Sequence, residues 1–115
     1  MKLINRCIVS LTPKQPLMDW VKSLETIETP DIWDFEGGAY LYDEHETEEA
    51  LLKDIHSKAA TMMRNELSAW TEDDSLWPNQ PNYDLMVQWF HIHMAVAGFD
   101  LGKEPLLRAN LDDLL

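Results

Sequence analysis

Five tryptophans in a strongly acidic chain most constrain what this sequence can fold into. The 115 residues carry a formal net charge of −12, yet 45% of them are hydrophobic. Disordered acidic segments are poor in aromatic residues, because they cannot bury enough apolar surface to offset the entropy lost on ordering. The sequence therefore predicts a folded acidic domain whose core draws on large aromatic side chains, Trp20, Trp33, Trp70, Trp77 and Trp89.

The length and the cysteine content indicate one domain in a reducing compartment. A chain of 115 residues is close to the commonest domain size and can bury a core without disulfide or metal cross-links. Cys7 is the only cysteine, which excludes an intrachain disulfide. No apolar run approaches the roughly 20 residues that a membrane helix needs. We expect one cytoplasmic domain over residues 1–115, with a tail at 107–115 that frays.

Hydrophobic spacing predicts both strands and helices. Alternation predicts a strand over 3–11, and apolar residues at helical spacing predict helices over 16–24, 47–70 and 82–97. Thr47 and Asn82 are the expected N-caps of the second and third helices, and Gly98 is the expected stop of the third. Short strands are expected at 39–43 and 99–101, with an irregular connection over 25–38. The expected fold class is α+β, with a small sheet of two to three strands packed against three helices.

A set of short fragments with similar spacing extends over most of the chain. They are Asn5-Arg6, Pro13-Lys14-Gln15-Pro16 with Asp19-Trp20, Tyr40-Leu41, Glu66-Leu67 with Trp70, Asp74-Ser75-Leu76-Trp77-Pro78, Trp89-Phe90, Asp100-Leu101 and Glu104-Pro105-Leu106. In these fragments the chain resembles a family of small acidic bacterial proteins that has no established activity. The resemblance implies a bacterial, cytoplasmic setting and assigns no catalytic residue.

A carboxylate in the apolar stripe of the long helix is the sharpest local anomaly. Glu66 falls in the middle of that stripe, where a charge costs several kcal/mol unless it is paired, hydrogen-bonded or protonated. His93 falls on the predicted inner face of the third helix, and His56 lies at the edge of the long helix's stripe. One hypothesis is a small enzyme or ligand-binding domain with a Glu66–His93 pocket between the helices. The alternative, which we favour, is that Glu66 bonds to a loop backbone, Arg6 or an indole N–H and that His93 is a core histidine.

The loop between the long helix and the third helix is the second candidate for a binding site. Asp73 and Asp74 precede Trp77, and an exposed tryptophan there would suit an interface, where this residue type is enriched. Alternatively, Trp77 folds back and fills the junction of the two helices, which we favour because it would otherwise expose a large apolar area.

The charge is distributed unevenly along the chain. Residues 1–24 hold four basic groups and one acid, whereas residues 25–54 hold eleven acids and one base. The exposed acids at the start of the long helix also complement the helix dipole. We expect them to form an acidic binding surface for a basic protein partner, made of Asp43, Glu44, Glu46, Glu48 and Glu49.

Several function classes lack the residues they require. We find no complete catalytic set, which favours a non-enzymatic function, and no cofactor motif or metal-ligand spacing. The basic footprint of a nucleic-acid-binding protein is missing. A binding protein with a basic partner is therefore the first hypothesis, and a homodimer remains a further alternative.

Overall fold

The computed structural model describes residues 1–24 and 37–111 of the chain. Most of the predicted irregular connection, including Trp33, and residues 112–115 of the tail lie outside the described residues. The described elements, in chain order, are β1 (Lys2–Ile4), β2 (Arg6–Pro13), α1 (Gln15–Ser23), β3 (Ala39–Asp43), α2 (Glu48–Ser68), a 3-10 turn (Asp74–Leu76), α3 (Tyr83–Trp89), β4 (Phe90–Ala95) and β5 (Gly98–Asp100). The predicted α+β fold, with a small sheet against three helices, is confirmed.

Strand β2 is the centre of the fold. It pairs antiparallel with β3 on one side and with β4 on the other, giving a three-stranded sheet in the order β3-β2-β4. Because side chains alternate between the faces of a strand, Cys7, Val9, Leu11 and Pro13 are buried, and the residues between them are only half-buried. The buried face packs against all three helices in one core.

Helices α1 and α2 begin where their sequences predict. Pro16 lies in the first turn of α1, where backbone N–H groups have no intrahelical acceptor, so the N–H that proline lacks is not needed. Thr47 caps α2, since its Oγ1 accepts a hydrogen bond from the Ala50 amide at 3.1 Å. The apolar stripe of α2 faces the sheet and includes Leu51, Ile55, Ala59, Met62, Met63 and Leu67. Of the helices in residues 1–24 and 37–111, none has the length and apolarity to cross a membrane.

The predicted third helix over 82–97 is wrong beyond Trp89. Asn82 is its N-cap, as predicted, but the chain becomes extended at Phe90 and continues as β4. Two bonds from Lys14 cap the helix end: its amide donates to the Trp89 carbonyl at 2.8 Å, and its Nζ donates to the Val87 carbonyl at 2.7 Å. Pairing with β2 then satisfies the backbone that a longer helix would have bonded internally.

The predicted strand over 3–11 is divided in two at Asn5. Ile4 pairs with Gly98, whereas Ile8 pairs with Ala95. Three residues therefore separate the paired positions on the β1–β2 segment, but only two separate them on the β4–β5 segment. Such an extra residue bends a strand. Beyond this bend, β1 and β5 form a separate two-stranded ribbon. The predicted last strand at 99–101 corresponds to β5 at Gly98–Asp100.

Because the chain is a strand from Phe90 onwards, neighbouring residues of β4 should differ in how much they contribute to stability. Ile92 packs against the core and pairs with Leu11, whereas His91 is exposed on the other face of β4. We expect Ile92→Ala to lower the free energy of unfolding by about 1–2 kcal/mol, since a partly buried isoleucine loses less than a fully buried one.

The matched control is His91→Ala, which removes a side chain of the same strand and should change the free energy of unfolding by less than about 0.5 kcal/mol. Urea denaturation followed by tryptophan fluorescence measures both. Equal losses in the two variants would contradict the alternation of β4.

Candidate functional site

Glu66 is buried, with 9% of its surface exposed, and its carboxylate is fully engaged. Oε1 accepts a hydrogen bond from the Gly38 amide at 2.9 Å, and Oε2 accepts one from the Tyr40 hydroxyl. The Tyr40 oxygen in turn accepts a bond from the Asn65 side-chain amide at 3.0 Å. Burial of the Tyr40 ring raises the pKa of its hydroxyl well above the usual value, and nearby Glu66 adds to this effect, which keeps the hydroxyl a donor.

The glycine pair before β3 allows this carboxylate to approach the backbone. A Cβ at Gly37 would lie 2.6 Å from Glu66 Oε1 and 2.9 Å from the Leu11 carbonyl oxygen. A Cβ at Gly38 would lie 2.7 Å from Glu66 Oε2. All three distances are shorter than a side-chain carbon tolerates, so the observed position of the Glu66 carboxylate requires glycine at both positions. Glu66 thus fastens the entry to β3 onto α2, which is a structural task.

The predicted Glu66–His93 pair is not formed. His93 is opposite Ser10 on the outer face of the sheet, where its Nε2 lies 3.1 Å from Thr12 Oγ1. Glu66 lies on the other face, among the helices. The reason is that α3 ends at Trp89. A longer helix would have directed His93 towards the core, but in strand β4 its side chain points to the opposite face. The expectation of a core histidine is wrong for the same reason, since His93 is exposed.

His56 takes no part in an acid–base arrangement either. Its exposed ring stacks on Tyr83 of α3, with the ring centroids 3.5 Å apart and an interplanar angle of 25°. The contact links α2 to the start of α3. The structure therefore brings none of the three candidate catalytic residues, Glu66, His93 and His56, into one site.

The loop around Trp77 folds back onto the protein. The Trp77 indole N–H donates to the Thr71 carbonyl at 2.9 Å, and the Trp20 indole N–H donates to the Leu76 carbonyl at 3.0 Å. Asp73 caps the 3-10 turn, since its Oδ1 accepts from the Ser75 amide at 3.1 Å, while Asp74 is exposed. Trp77 is half-buried, which agrees better with the fold-back alternative than with a tryptophan displayed to a partner.

The acids predicted to form a binding surface surround the turn from β3 into α2. We name Asp43, Glu44, Glu46, Glu48 and Glu49 the acidic junction; all five side chains are exposed. In the described part of the chain, the ion pairs are those of Asp54 with His45 and with Lys58, so no acid of the junction is paired with a cation there. The junction thus presents five carboxylates within seven residues to solvent.

His45 anchors the acidic junction at two points, one in the core and one on α2. Its amide donates to the Cys7 sulfur at 3.4 Å, and Cys7 is itself fully buried on β2. Its Nε2 lies 2.9 Å from Asp54 Oδ2, while Asp54 Oδ1 accepts a bond from Lys58 Nζ at 2.5 Å. The hydrogen bonds from Lys58 and then His45 hold the pKa of the Asp54 carboxyl below its usual value. The turn that bears the acids is therefore held by one contact to β2 and by another to α2.

Cations concentrate in a second place, which our sequence predictions missed. A cleft of about 700 Å³ lies between β1 and the segment 102–108, and four of the nine Lys and Arg residues of the chain line it: Lys2, Arg6, Lys103 and Arg108. The only sequence signal for this cleft was the excess of bases over acids in residues 1–24. Lys103 and Arg108 are about a hundred residues further along the chain, so no local pattern groups them with Lys2 and Arg6. Within residues 1–24 and 37–111, no group of three His, Cys, Asp or Glu side chains has a metal-binding arrangement.

Comparison of the chain with protein-family models, with curated protein sequences and with solved structures finds no match.

The contacts of Asp54 predict a pH-dependent contribution to stability. Because its folded-state pKa lies below the ordinary value of 3.8, its contribution is present above pH about 5 and is lost as the pH falls through the folded-state pKa. We expect Asp54→Asn to lower the free energy of unfolding at pH 7 by about 1 kcal/mol or less, and the difference from the wild type to shrink towards pH 3.

Urea denaturation between pH 7 and pH 3 measures this difference, with Asp74→Asn as the control of equal charge, since the Asp74 side chain is exposed. A difference for Asp54→Asn that stays constant over this pH range would show that the carboxylate does not stabilise the fold through these partners.

Proposed function

We propose that the protein is a non-enzymatic binding protein that engages a basic protein partner through the acidic junction. The observation that carries the proposal is the set of five exposed carboxylates, none of which forms an ion pair with the described residues. A cluster of one sign of charge raises the association rate of an oppositely charged partner and suppresses partners of like charge.

The fixed backbone of the junction supports a role in recognition rather than in solubility alone. Thr47 caps the helix, and His45 ties the turn to Cys7 and to Asp54. Groups held in place before binding lose less conformational entropy when the partner arrives. A solubility device needs charge but no such anchoring.

The state of the other candidate residues favours binding over catalysis. Glu66 is occupied by Gly38 and Tyr40, and His93 lies on the far face of the sheet. General acid–base catalysis needs groups within hydrogen-bond reach of one reacting atom, and these two are held apart. On the resemblance given above, we propose the bacterial cytoplasm as the setting.

The test is the partner affinity of a variant in which three junction acids are neutralised, E44Q/E46Q/E49Q. A basic partner is first isolated by affinity capture on the full chain and elution with salt, and its dissociation constant is then measured by calorimetry with purified proteins. Three lost contacts of about 0.5 kcal/mol each predict binding about tenfold weaker at low salt, with a smaller difference at high salt.

The matched control is E72Q/D74N/D84N, which removes the same number of charges from exposed positions outside the junction. It should bind within about twofold of the wild type. Equal weakening in both variants would mean that only net charge matters, and salt-insensitive binding would contradict an electrostatic interface altogether.

A further inference from the structure

The basic cleft lies along strand β1. Its lining contains five consecutive residues, 2–6, together with residues 102–108, Asp100 of β5 and Leu41 of β3. Successive side chains of a strand point to opposite faces. Because every residue from 2 to 6 lines the cleft, the cleft runs along the edge of the strand and not over one of its faces. Its volume of about 700 Å³ is within the range of specific ligand pockets.

The sheet leaves a strand position empty at this place. Strand β2 has neighbours on both sides, but β3 ends at Asp43, opposite Arg6, and turns into α2. Beyond that point β1 pairs with β5 alone, and its other side has no strand partner in the described part of the chain. An unpaired strand side presents backbone N–H and C=O groups that can template another strand.

The charges of the cleft select the occupant. Lys2, Lys103 and Arg108 form no ion pair with the described residues, and the Arg6 guanidinium donates to the carbonyl of its neighbour Asn5. Of the two acids in the lining, Asp100 already accepts a bond from the Gly102 amide at 2.8 Å. Among the described residues, the four cations of the lining outnumber its two acids, Asp100 and Glu104, and none of the four forms an ion pair.

The lining also contains apolar side chains that are exposed to solvent. Leu3 is 67% exposed, Leu41 55% and Leu106 64%. An occupant that suits the cleft has apolar groups for these residues and carboxylates for the cations. A second copy of β1 would instead bring Lys2 and Arg6 against their own counterparts, which like-charge repulsion disfavours.

We infer that the cleft binds an extended acidic segment of a partner protein, in which carboxylates alternate with apolar residues, and that this segment adds to β1 as a strand. Main-chain hydrogen bonds to β1 supply affinity in this mode, and side-chain contacts supply specificity. The cations meet the carboxylates, and Leu3, Leu41 and Leu106 meet the apolar side chains. This surface is separate in residues and opposite in charge from the acidic junction, so its test is independent of the function proposed above.

The probe is a capped, fluorescent seven-residue peptide that alternates leucine with aspartate, titrated with the full chain and followed by fluorescence anisotropy. We expect saturable binding, and K103Q/R108Q should weaken it about fivefold, as for the loss of two exposed charge contacts. The matched control K53Q/R64Q removes two exposed bases of α2, outside the cleft, and should bind within about twofold of the wild type. Both altered residues of the first variant lie outside the helices and strands, so the fold is not at risk.

Two further peptides separate strand addition from charge attraction alone. The same peptide with N-methyl groups on alternate backbone amides keeps its charge but loses donors on one side, and we expect one of the two methylation patterns to bind at least fivefold more weakly. A peptide with lysine in place of aspartate should not bind to the cleft. Absence of binding by the acidic peptide, equal binding of both methylated forms and the parent, or equal weakening by K103Q/R108Q and K53Q/R64Q would each overturn the inference.

Discussion

Burial of a single face of β2 is the constraint on which the rest of the structure depends. Cys7, Val9 and Leu11 are fully buried, and helices α1, α2 and α3 all contribute to the core that covers them. A sheet face buried in this way fixes the register of its neighbours, because a slip of one residue would expose the whole apolar set. With the helices gathered on one side, the polar groups are left to the outer face and to the two ends of the sheet.

The sequence was sufficient to predict the helix starts that are determined by a capping residue at that position. Thr47 with the acids that follow it predicts the start of α2, and Asn82 predicts the start of α3. The end of α3 depends on bonds from Lys14, which is 73 residues before Val87 in the chain, and no local pattern contains such a contact. Phe90, Ile92 and Met94 alternate with His91 and His93, and this period of two directly follows the helical pattern of α3, which the sequence prediction extended too far.

The sites show the same division between local and distant information. The position of Glu66 in an apolar stripe predicts that it needs a partner, but its choice of Gly38 and Tyr40 follows from tertiary packing. The exposed acids of the junction follow from a continuous acidic run in the sequence. The basic cleft joins residues from the two ends of the chain, so only the pairing of β1 with β5 reveals it. Among the described residues, the charges are therefore divided between an acidic surface and a basic one.

The central claim is that the protein holds two separate surfaces of opposite charge. Backbone amide NMR on one sample tests it, by titration first with a lysine-rich peptide and then with the leucine–aspartate peptide, each at a salt concentration near physiological. Separate surfaces predict that the first peptide shifts signals of residues 43–49 and that the second, added afterwards, shifts signals of residues 2–6 and 102–108. Shifts of the same signals by both peptides, or by neither at these positions, would contradict the claim.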